Sequence, residues 1–365
     1  MHASDICPDW IDRILHDHGV LSSDVTVSGL ETSAIGTGQV ADSVQARLTY
    51  SADTPAPSSF VAKISSENEQ SRAAGRTEMN YLREVRFYEQ IAPRLAVRVP
   101  ECHHAEIDSN NTEFVLLLED LSPARAGDQL TGCTVDEVRL AMREAARIHA
   151  PYWGSDELAG LPWLDISDTY WSRFTEMMPI WWAGFVERYR DRLSEADIEL
   201  GGAFTDHIDA YYAALRTVPF TVQHGDFRPD NVLFDAAGGD VPLAVLDWQT
   251  VIYGPGIVDV AYFIGGALDT ATRRAHERDL LDVYHKELLA QGVADYPFDR
   301  LLADYRIATF QNLVIGVAAA MLVTRSDRGD ELFVSMTRNA LTHARDHHAL
   351  DRILSAATSS GAVHV

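Results

Sequence analysis

The chain has 365 residues, of which 46% are hydrophobic and 23% are charged, and its formal net charge is −24 at pH 7. Such a length supports a large core divided between about two domains or lobes. The strong negative charge argues against nucleic acid or an anionic membrane as a main partner. Residues 1–10 contain no basic stretch and no apolar run, so we predict no signal peptide and expect a cytoplasmic protein.

The sequence carries no conventional disulfide or zinc motif. It has three cysteines, Cys7, Cys102 and Cys133, and no Cys-x-x-Cys pair, so neither a disulfide framework nor a structural zinc site is predicted. The adjacent histidine pairs 103–104 and 347–348 are expected in loops or at the surface. The longest apolar run, residues 313–323, is too short to span a bilayer and predicts a buried helix.

Two glycines separate two predicted strands near the N-terminus. The strands cover residues 25–30 and 43–50, and Gly36 and Gly38 lie between them. Because glycine has no Cβ, such a turn lets the backbone approach phosphate groups. An ordinary hairpin is the alternative. No Gly-x-x-x-x-Gly-Lys sequence is present, which excludes a P-loop.

A single lysine lies within the apolar strand predicted over residues 60–64. Lys63 is either a solvent-facing residue of an edge strand or a ligand of nucleotide phosphates, and its position after the glycine turn favours the second. The helix predicted over residues 77–92 carries Glu84 on a mostly apolar face. A carboxylate on such a face requires a cationic partner. We therefore expect Glu84 to pair with Lys63, with Glu78 as the alternative.

The strand predicted over residues 114–118 continues into Glu-Asp-Leu at residues 119–121, after which the chain is mostly helical. A capping box at residues 134–137 begins a helix that ends near residue 149. The aromatic-rich stretch 151–216 is expected mainly to pack helices, so we assign no substrate ligand there. Further helices are predicted over residues 270–291, 299–324 and up to about 348, followed by a frayed tail over 355–365.

The strongest chemical signal begins with the run His-Gly-Asp-Phe-Arg-Pro-Asp-Asn, which spans His224 to Asn231. Two short apolar runs around a Gly-Gly turn then predict a hairpin that leads into Asp247. Asp226 can take a proton from an acceptor hydroxyl, while Asn231 and Asp247 offer oxygen ligands suited to Mg²⁺. With Asp259 further along, this spacing predicts phosphoryl transfer.

These motifs resemble those of the aminoglycoside phosphotransferase and choline kinase superfamily, and most closely those of the ecdysteroid-kinase-like (CHK-like) small-molecule kinases. The resemblance implies an α+β, two-lobed, protein-kinase-like fold, with a small β-rich N-lobe over residues 1–121 and a larger, mostly helical C-lobe over residues 122–365. It implies Asp226 as the catalytic base, with ATP and Mg²⁺ as cofactors. The cofactor-binding residues that it implies are Gly36, Gly38, Lys63, Glu84, Glu119, Leu121, Asn231 and Asp247, of which Asn231 and Asp247 hold the metal.

The same resemblance assigns roles outside the catalytic loop. It implies that the Glu119 carbonyl and the Leu121 amide pair with adenine at a hinge, and that Asp259 braces the loop. Eleven residues separate Asp247 from Asp259, and no Ala-Pro-Glu follows, which leaves no room for a protein kinase's long activation loop. For Arg228 two roles stay open, stabilisation of the transferring phosphoryl group and a salt bridge to a nearby acid.

We therefore expect transfer of the ATP γ-phosphate to a hydroxyl of a small molecule that is sterol-like, aminoglycoside-like or another hydroxylated metabolite, by a monomer or weak oligomer. One alternative is a catalytically silent nucleotide-binding protein, which the intact motif residues argue against. The other is a metal-dependent phosphoesterase with His224, Asp226 and Asp230 as ligands. Such an enzyme would need a Gly-Asn-His element, which the chain lacks.

Overall fold

The computed structural model describes residues 5–36, 40–165 and 168–361, so the predicted phosphate-turn residue Gly38 lies outside the described residues. The chain forms two compact units. The first unit comprises Met1–Ala124 and Asp235–Val251, and the second comprises Arg125–Phe234 and Ile252–Val365. Asp247 therefore belongs to the same unit as Lys63, although 183 residues lie between them in the sequence. The lobe boundary after residue 121 stays a prediction.

An antiparallel five-stranded sheet forms the centre of the first unit, in the order β1-β2-β3-β5-β4. Its pairing places Lys63 opposite Ser43 on one neighbouring strand and Leu116 on the other. The strands are β1 (Val27–Ile35), β2 (Ala41–Tyr50), β3 (Ser59–Ser65), β4 (Cys102–Ile107) and β5 (Phe114–Glu119). The helices of this unit are α1 (Pro8–Asp17), α2 (Glu69–Thr77) and α3 (Asn80–Arg86).

Side chains that alternate along β3 separate a core face from the face that carries Lys63. Phe60 and Ile64 are fully buried and belong to one apolar cluster with Ile11 and Leu15 of α1. Burial of each such large side chain stabilises the fold by about 1.5–3 kcal/mol. Because successive strand residues point to opposite faces, Lys63 is directed away from this cluster.

The prediction of a single helix over residues 77–92 is wrong at the start of that helix. Met79 adopts a left-handed conformation with φ of 56°, so α2 ends before it and α3 begins after it. A π-helical turn then continues α3 to Ile91. Sequence reasoning missed α2 because its nine residues present no apolar face, although Asn68 caps it through two backbone N–H groups.

Helices dominate the second unit. The capping box predicted at Thr134 and Glu137 is present at the start of its first helix. The helices are α4 (Val135–His149), α5 (Asp168–Tyr189), α6 (Glu195–Thr205), α7 (Ile208–Leu215), α8 (Ile257–Ala267), α9 (Thr270–Ala290), α10 (Phe298–Ala308), α11 (Gln311–Leu322), α12 (Asp327–His347) and α13 (Ala349–Gly361). The remaining strands of the chain are β6 (Arg125–Ala126), β7 (Phe220–Gln223), β8 (Val232–Ala236), β9 (Val241–Val245) and β10 (Ile252–Pro255).

Two predictions near the C-terminus are wrong. The helix expected over residues 299–324 is two helices, α10 and α11, because the chain turns at residues 309–310 without a glycine or proline to signal it. Residues 355–361, expected as a frayed tail, are helical in α13. Residues Phe298–Leu322 are long and apolar enough to cross a membrane by length and composition, but 67% of their apolar window is buried inside the protein. That burial is typical of core helices.

The aromatic residues of the second unit pack its helices together. In α5, Trp182 and Phe185 stack with an interplanar angle of 9°, and both are buried. Gly201 of α6 lies against this tryptophan so closely that a Cβ there would come within 2.2 Å of the Trp182 ring. These residues therefore pack the helices, as expected for this aromatic-rich stretch.

Candidate active site

Lys63 is held between two carboxylates in the first unit. Its Nζ lies 2.7 Å from Glu84 Oε2 and 2.8 Å from Asp247 Oδ1. The side chains of Lys63 and Glu84 are only 13% and 2% exposed, so neither charge is well solvated and each requires a partner. The structure thus brings together three of the predicted site residues.

Burial and charge both act on this group. Burial by itself would lower the pKa of Lys63, but the carboxylates of Asp247 and Glu84 outweigh that effect and raise the pKa above its ordinary value. Burial raises the pKa of Glu84 to about 7, against the opposing effect of the Lys63 ammonium group. Lys63 is therefore a cation at neutral pH, which is the form that binds phosphate oxygens.

The backbone around Asp247 is fixed by contacts with α3 and the turn that follows it. Asp247 adopts a left-handed conformation with φ of 62°, which is costly for a residue with a side chain and is held here by its neighbours. The Trp248 ring stacks on Phe87 with centroids 3.8 Å apart, and both rings are fully buried. The Asn80 side chain donates a hydrogen bond to the Gln249 carbonyl at 3.0 Å. These contacts hold the Asp247 carboxylate beside Lys63.

The other predicted nucleotide-binding residues of the first unit lie at strand ends. Gly36 directly follows β1 with φ of 72°, a conformation that favours glycine, and among the described residues beyond its chain neighbours no atom lies within 4 Å of the position a Cβ would take. Glu119 ends β5, and its carboxylate accepts hydrogen bonds from Arg98 at 2.6 and 2.7 Å. The Leu121 carbonyl accepts a hydrogen bond from the Ala237 amide at 2.8 Å. Contacts of these residues with adenine or phosphate stay predictions.

In the second unit, Asp259 anchors the loop that carries Asp226. Asp259 is fully buried, and its carboxylate accepts hydrogen bonds from the backbone N–H of His224 at 2.7 Å and of Gly225 at 3.1 Å. Gly225 has φ of 83°, so any residue with a side chain would be strained at this turn. His149 Nε2 lies 3.3 Å from Asp259 Oδ2 and supports the carboxylate from α4. Asp259 is thus placed to brace the loop, as the resemblance implied.

Three side chains hold the Asp226 carboxylate. The Tyr262 hydroxyl donates to Oδ1 at 3.0 Å, while Arg228 Nε and Asn231 Nδ2 donate to Oδ2 at 3.1 and 2.8 Å. Arg228 also lies 3.6 Å from Asp230. The Asp226 carboxylate raises the pKa of Arg228 further above its ordinary value, although burial opposes this. Of the two roles left open for Arg228, the structure shows the salt bridge.

The hydrogen bonds of Asn231 determine which of its amide atoms can ligate a metal. Its Nδ2 donates to the Asp226 carbonyl and to the Asp226 carboxylate, both at 2.8 Å. Only the amide nitrogen can donate to these two acceptors, so the amide oxygen is the atom left for a cation. The predicted magnesium ligands, this oxygen and the Asp247 carboxylate, are hard donors that fit Mg²⁺. Asn231 belongs to the second unit and Asp247 to the first.

Sequence reasoning missed two residues of this site. Tyr262 lies three positions after Asp259 on α8, so both face the same side of that helix. It stands in a helix that is buried throughout and apolar apart from Asp259 and Tyr262 itself, which conceals its role. His149 ends the helix begun by the predicted capping box, and its Nδ1 lies 2.8 Å from the Tyr284 hydroxyl. Its position in a helix predicted to be structural gave no sign of this contact.

Comparisons with known proteins identify the family of the chain. The sequence profile of the phosphotransferase enzyme family (APH) matches residues 37–302. No curated protein sequence matches the chain. Among solved structures, the chain is similar to a microcompartment-associated aminopropanol kinase, with a TM-score of 0.52 and 12% identity over 96% of this chain and 98% of that chain. It is also similar to the protein of the gentamicin–APH(2")-IIa complex, with a TM-score of 0.50 and 14% identity over 93% of this chain and 96% of that chain.

At these identities the structural similarity shows the fold alone. That fold is the α+β protein-kinase-like fold expected from the sequence, with a five-stranded antiparallel sheet followed by a largely helical region. The family profile covers most of the chain, and the matched residues include Lys63, Asp226 and Asp247. The chain therefore belongs to the phosphotransferase enzyme family of small-molecule kinases, which transfer phosphate to hydroxylated acceptors.

Proposed function

We propose that this kinase transfers the γ-phosphate of ATP to a hydroxyl group of a small molecule, with Asp226 as the catalytic base. The observation that supports this best is the Asp226 carboxylate, which Tyr262, Arg228 and Asn231 hold in place by hydrogen bonds. A general base must be fixed within hydrogen-bond reach of the proton that it takes. The loop anchored by Asp259 supplies that fixed position.

In the proposed reaction, the acceptor oxygen attacks the γ-phosphorus and its proton passes to Asp226. The bond between the γ-phosphorus and the β–γ bridging oxygen breaks, and its electron pair leaves with ADP. Lys63 binds phosphate oxygens, and Glu84 orients its ammonium group. Mg²⁺, when bound, would offset the phosphate charge, with Asn231 and Asp247 as its protein ligands.

The acceptor class is proposed from sequence resemblance. The Leu-Glu-Asp-Leu run at residues 118–121 and the motif at residues 224–231 resemble the ecdysteroid-kinase-like group. This supports a sterol-like or otherwise hydroxylated, largely apolar acceptor as the first class to test. Aminoglycosides, amino alcohols and sugars are the alternatives that the wider superfamily offers, because one fold serves many acceptors.

The metal-dependent phosphoesterase is less well supported. The buried His224 ring accepts a hydrogen bond at Nδ1 from the Asp226 amide at 3.3 Å, which directs that nitrogen to the backbone. Among the residues that the structure describes, the set of three side chains spaced to ligate a metal lies elsewhere. That set includes neither Asp226 nor Asp230.

The test is a screen of purified protein with Mg²⁺ and either ATP or GTP against steroids, aminoglycosides, amino alcohols and sugars. We expect the protein to consume ATP in the presence of one acceptor class. The amount of ATP consumed should match the amount of phosphorylated product, which is identified by mass spectrometry. Nucleotide binding without transfer to any class would support a catalytically silent protein. Release of phosphate from phosphate esters without nucleotide would support the phosphoesterase.

A further inference from the structure

A second cluster of ligating side chains lies in the second unit and shares no residue with the site above. Glu277 extends from α9, and His343 and His347 extend from α12. The His343 and His347 Nε2 atoms lie 2.8 and 2.7 Å from the two carboxylate oxygens of Glu277, and a ligand atom from each of the three residues lies within 4.8 Å of the others. We propose that these three residues form a Zn²⁺ site.

The spacing of the ligands suits a tetrahedral cation. His343 and His347 are four positions apart on one helix, which places both imidazoles on the same face. The Tyr305 hydroxyl of α10 lies 2.8 Å from Glu277 Oε1 and 2.9 Å from His343 Nε2, and it offers a fourth oxygen. Zinc bonds of about 2.0–2.1 Å place tetrahedral ligand atoms about 3.3 Å apart. The contacts of Glu277 and Tyr305 given above would therefore lengthen by about 0.4–0.6 Å on zinc binding.

The Glu277 carboxylate carries several hydrogen bonds, some of which a bound cation would replace. Arg273, His343 and Tyr305 all approach the same carboxylate oxygen, Oε1, at 3.0, 2.8 and 2.8 Å. A bound Zn²⁺ would engage the two histidine nitrogens directly, in place of their hydrogen bonds to Glu277. Two positive charges face the cluster. The Arg273 guanidinium also pairs with Asp346, which offsets its charge, and the Arg306 guanidinium interacts electrostatically with Glu277.

Burial and donor type identify the metal class. The side chains of His343, His347 and Glu277 are 0%, 11% and 12% exposed, so a cation would reach the cluster past His347 and Glu277. Two imidazole nitrogens, which are borderline donors, together with one carboxylate favour Zn²⁺, whereas Mg²⁺ favours oxygen ligands alone. Because the ligands come from α9 and α12, with Tyr305 on α10, the metal would fasten three helices.

The test uses full-length, tag-free protein dialysed against a chelator. Zn²⁺ affinity is measured by competition with a chromophoric chelator, and the visible spectrum is recorded with Co²⁺ as a probe. The variants are His347→Ala and Glu277→Gln. His348→Asn is the matched control, because it removes the adjacent imidazole while asparagine tolerates the left-handed conformation of residue 348.

We expect the wild type and His348→Asn each to bind one equivalent of Zn²⁺. The Zn²⁺ affinity of the other two variants should be at least about 10-fold weaker. Tetrahedral Co²⁺ bound to the wild type should absorb strongly in the visible range. Equal Zn²⁺ affinity in wild type and His347→Ala would overturn the proposal, because the metal would then bind elsewhere, for example at Asp226 or Asp247. If a variant does not fold, the Co²⁺ spectrum of the wild type tests the proposal without it. A spectrum typical of octahedral, oxygen-bound Co²⁺ would leave the cluster as a hydrogen-bond network only.

Discussion

The Tyr262 hydroxyl donates a hydrogen bond to Oδ1 of Asp226 at 3.0 Å, from a side chain that is 1% exposed. The phenylalanine variant removes this donor and keeps the ring. A hydrogen bond to a charged group contributes roughly 1.5–3 kcal/mol, so we expect Tyr262→Phe to lower kcat by about 10-fold or more while the KM for ATP is unchanged. Steady-state kinetics check this, with Tyr253→Phe as a control whose hydroxyl bonds the Ser155 carbonyl. An unchanged kcat in Tyr262→Phe would remove this tyrosine from the positioning of the base.

Arg228 also positions the base, through a 3.1 Å contact from its Nε to Asp226. Lysine in its place keeps the charge but lacks the planar set of donors, so we expect Arg228→Lys to lower kcat roughly 10- to 100-fold. Arg328→Lys is the matched control. Arg328 lies 3.6 Å from Asp230 but is 57% exposed, and exposed pairs contribute only about 0–1 kcal/mol. Equal losses in both variants would show that the contact of Arg228 with Asp226 has no specific effect, and an unchanged kcat in Arg228→Lys would show that Arg228 acts only through its charge.

Glu84 is expected to act on nucleotide binding rather than on proton transfer. Glu84→Gln removes one of the two carboxylates that hold Lys63. We expect the KM for ATP to rise about 10-fold, equivalent to about 1.4 kcal/mol of lost binding, with a smaller change in kcat. Glu78→Gln, in the turn between α2 and α3, serves as the control. If the two variants raise the KM for ATP equally, Glu84 has no specific role in positioning Lys63 for phosphate binding.

The same glutamate predicts a pH dependence of stability. Burial raises the pKa of Glu84 to about 7, compared with 4.5 for the ordinary group. Between pH 7 and 4.5 the folded protein binds this proton and the unfolded chain does not, so the contribution of Glu84 to the free energy of unfolding decreases as pH rises through this window. Glu84→Gln lacks this titration. Denaturation of both proteins across pH 5–8 should show wild type losing stability relative to the variant as pH rises, and a constant difference would contradict the assignment.

Sequence patterns predicted those site residues whose side-chain directions follow from local backbone geometry. Strand alternation directs Lys63 away from the core formed by Phe60 and Ile64, and helical spacing places Glu84 on the face that packs inward. The loop at residues 224–231 could be identified because its functional residues lie close together in the sequence. These features depend on neighbours a few residues apart.

Features that depend on distant or unusual contacts could not be predicted in this way. The pairing of Asp247 with Lys63 requires a left-handed residue held by Trp248 packed on Phe87, which no local pattern signals. Tyr262 looks like any other residue of a buried helix.

The zinc cluster was missed for a related reason. His347 was expected at the surface, as part of an adjacent histidine pair. Its cluster partner Glu277 is 70 positions away and reaches it only because α9 packs near α12. A sequence pattern holds no information on such a pairing.

The central claim is that Asp226 takes the acceptor proton, and Asp226→Asn tests it most directly. Asparagine keeps the shape of the side chain. With its amide oxygen at the Oδ2 position it still accepts hydrogen bonds from Arg228 and Asn231, and its amide nitrogen can donate to the Tyr262 hydroxyl, so the loop should fold. The measurement is the rate of phosphate transfer from ATP to the identified acceptor, together with the nucleotide Kd, in wild type, Asp226→Asn and the exposed control Asp240→Asn. We predict that Asp226→Asn lowers the transfer rate by at least about 100-fold with unchanged nucleotide Kd, and that the control behaves as wild type. Transfer by Asp226→Asn at a rate near that of wild type would contradict the assignment of the base.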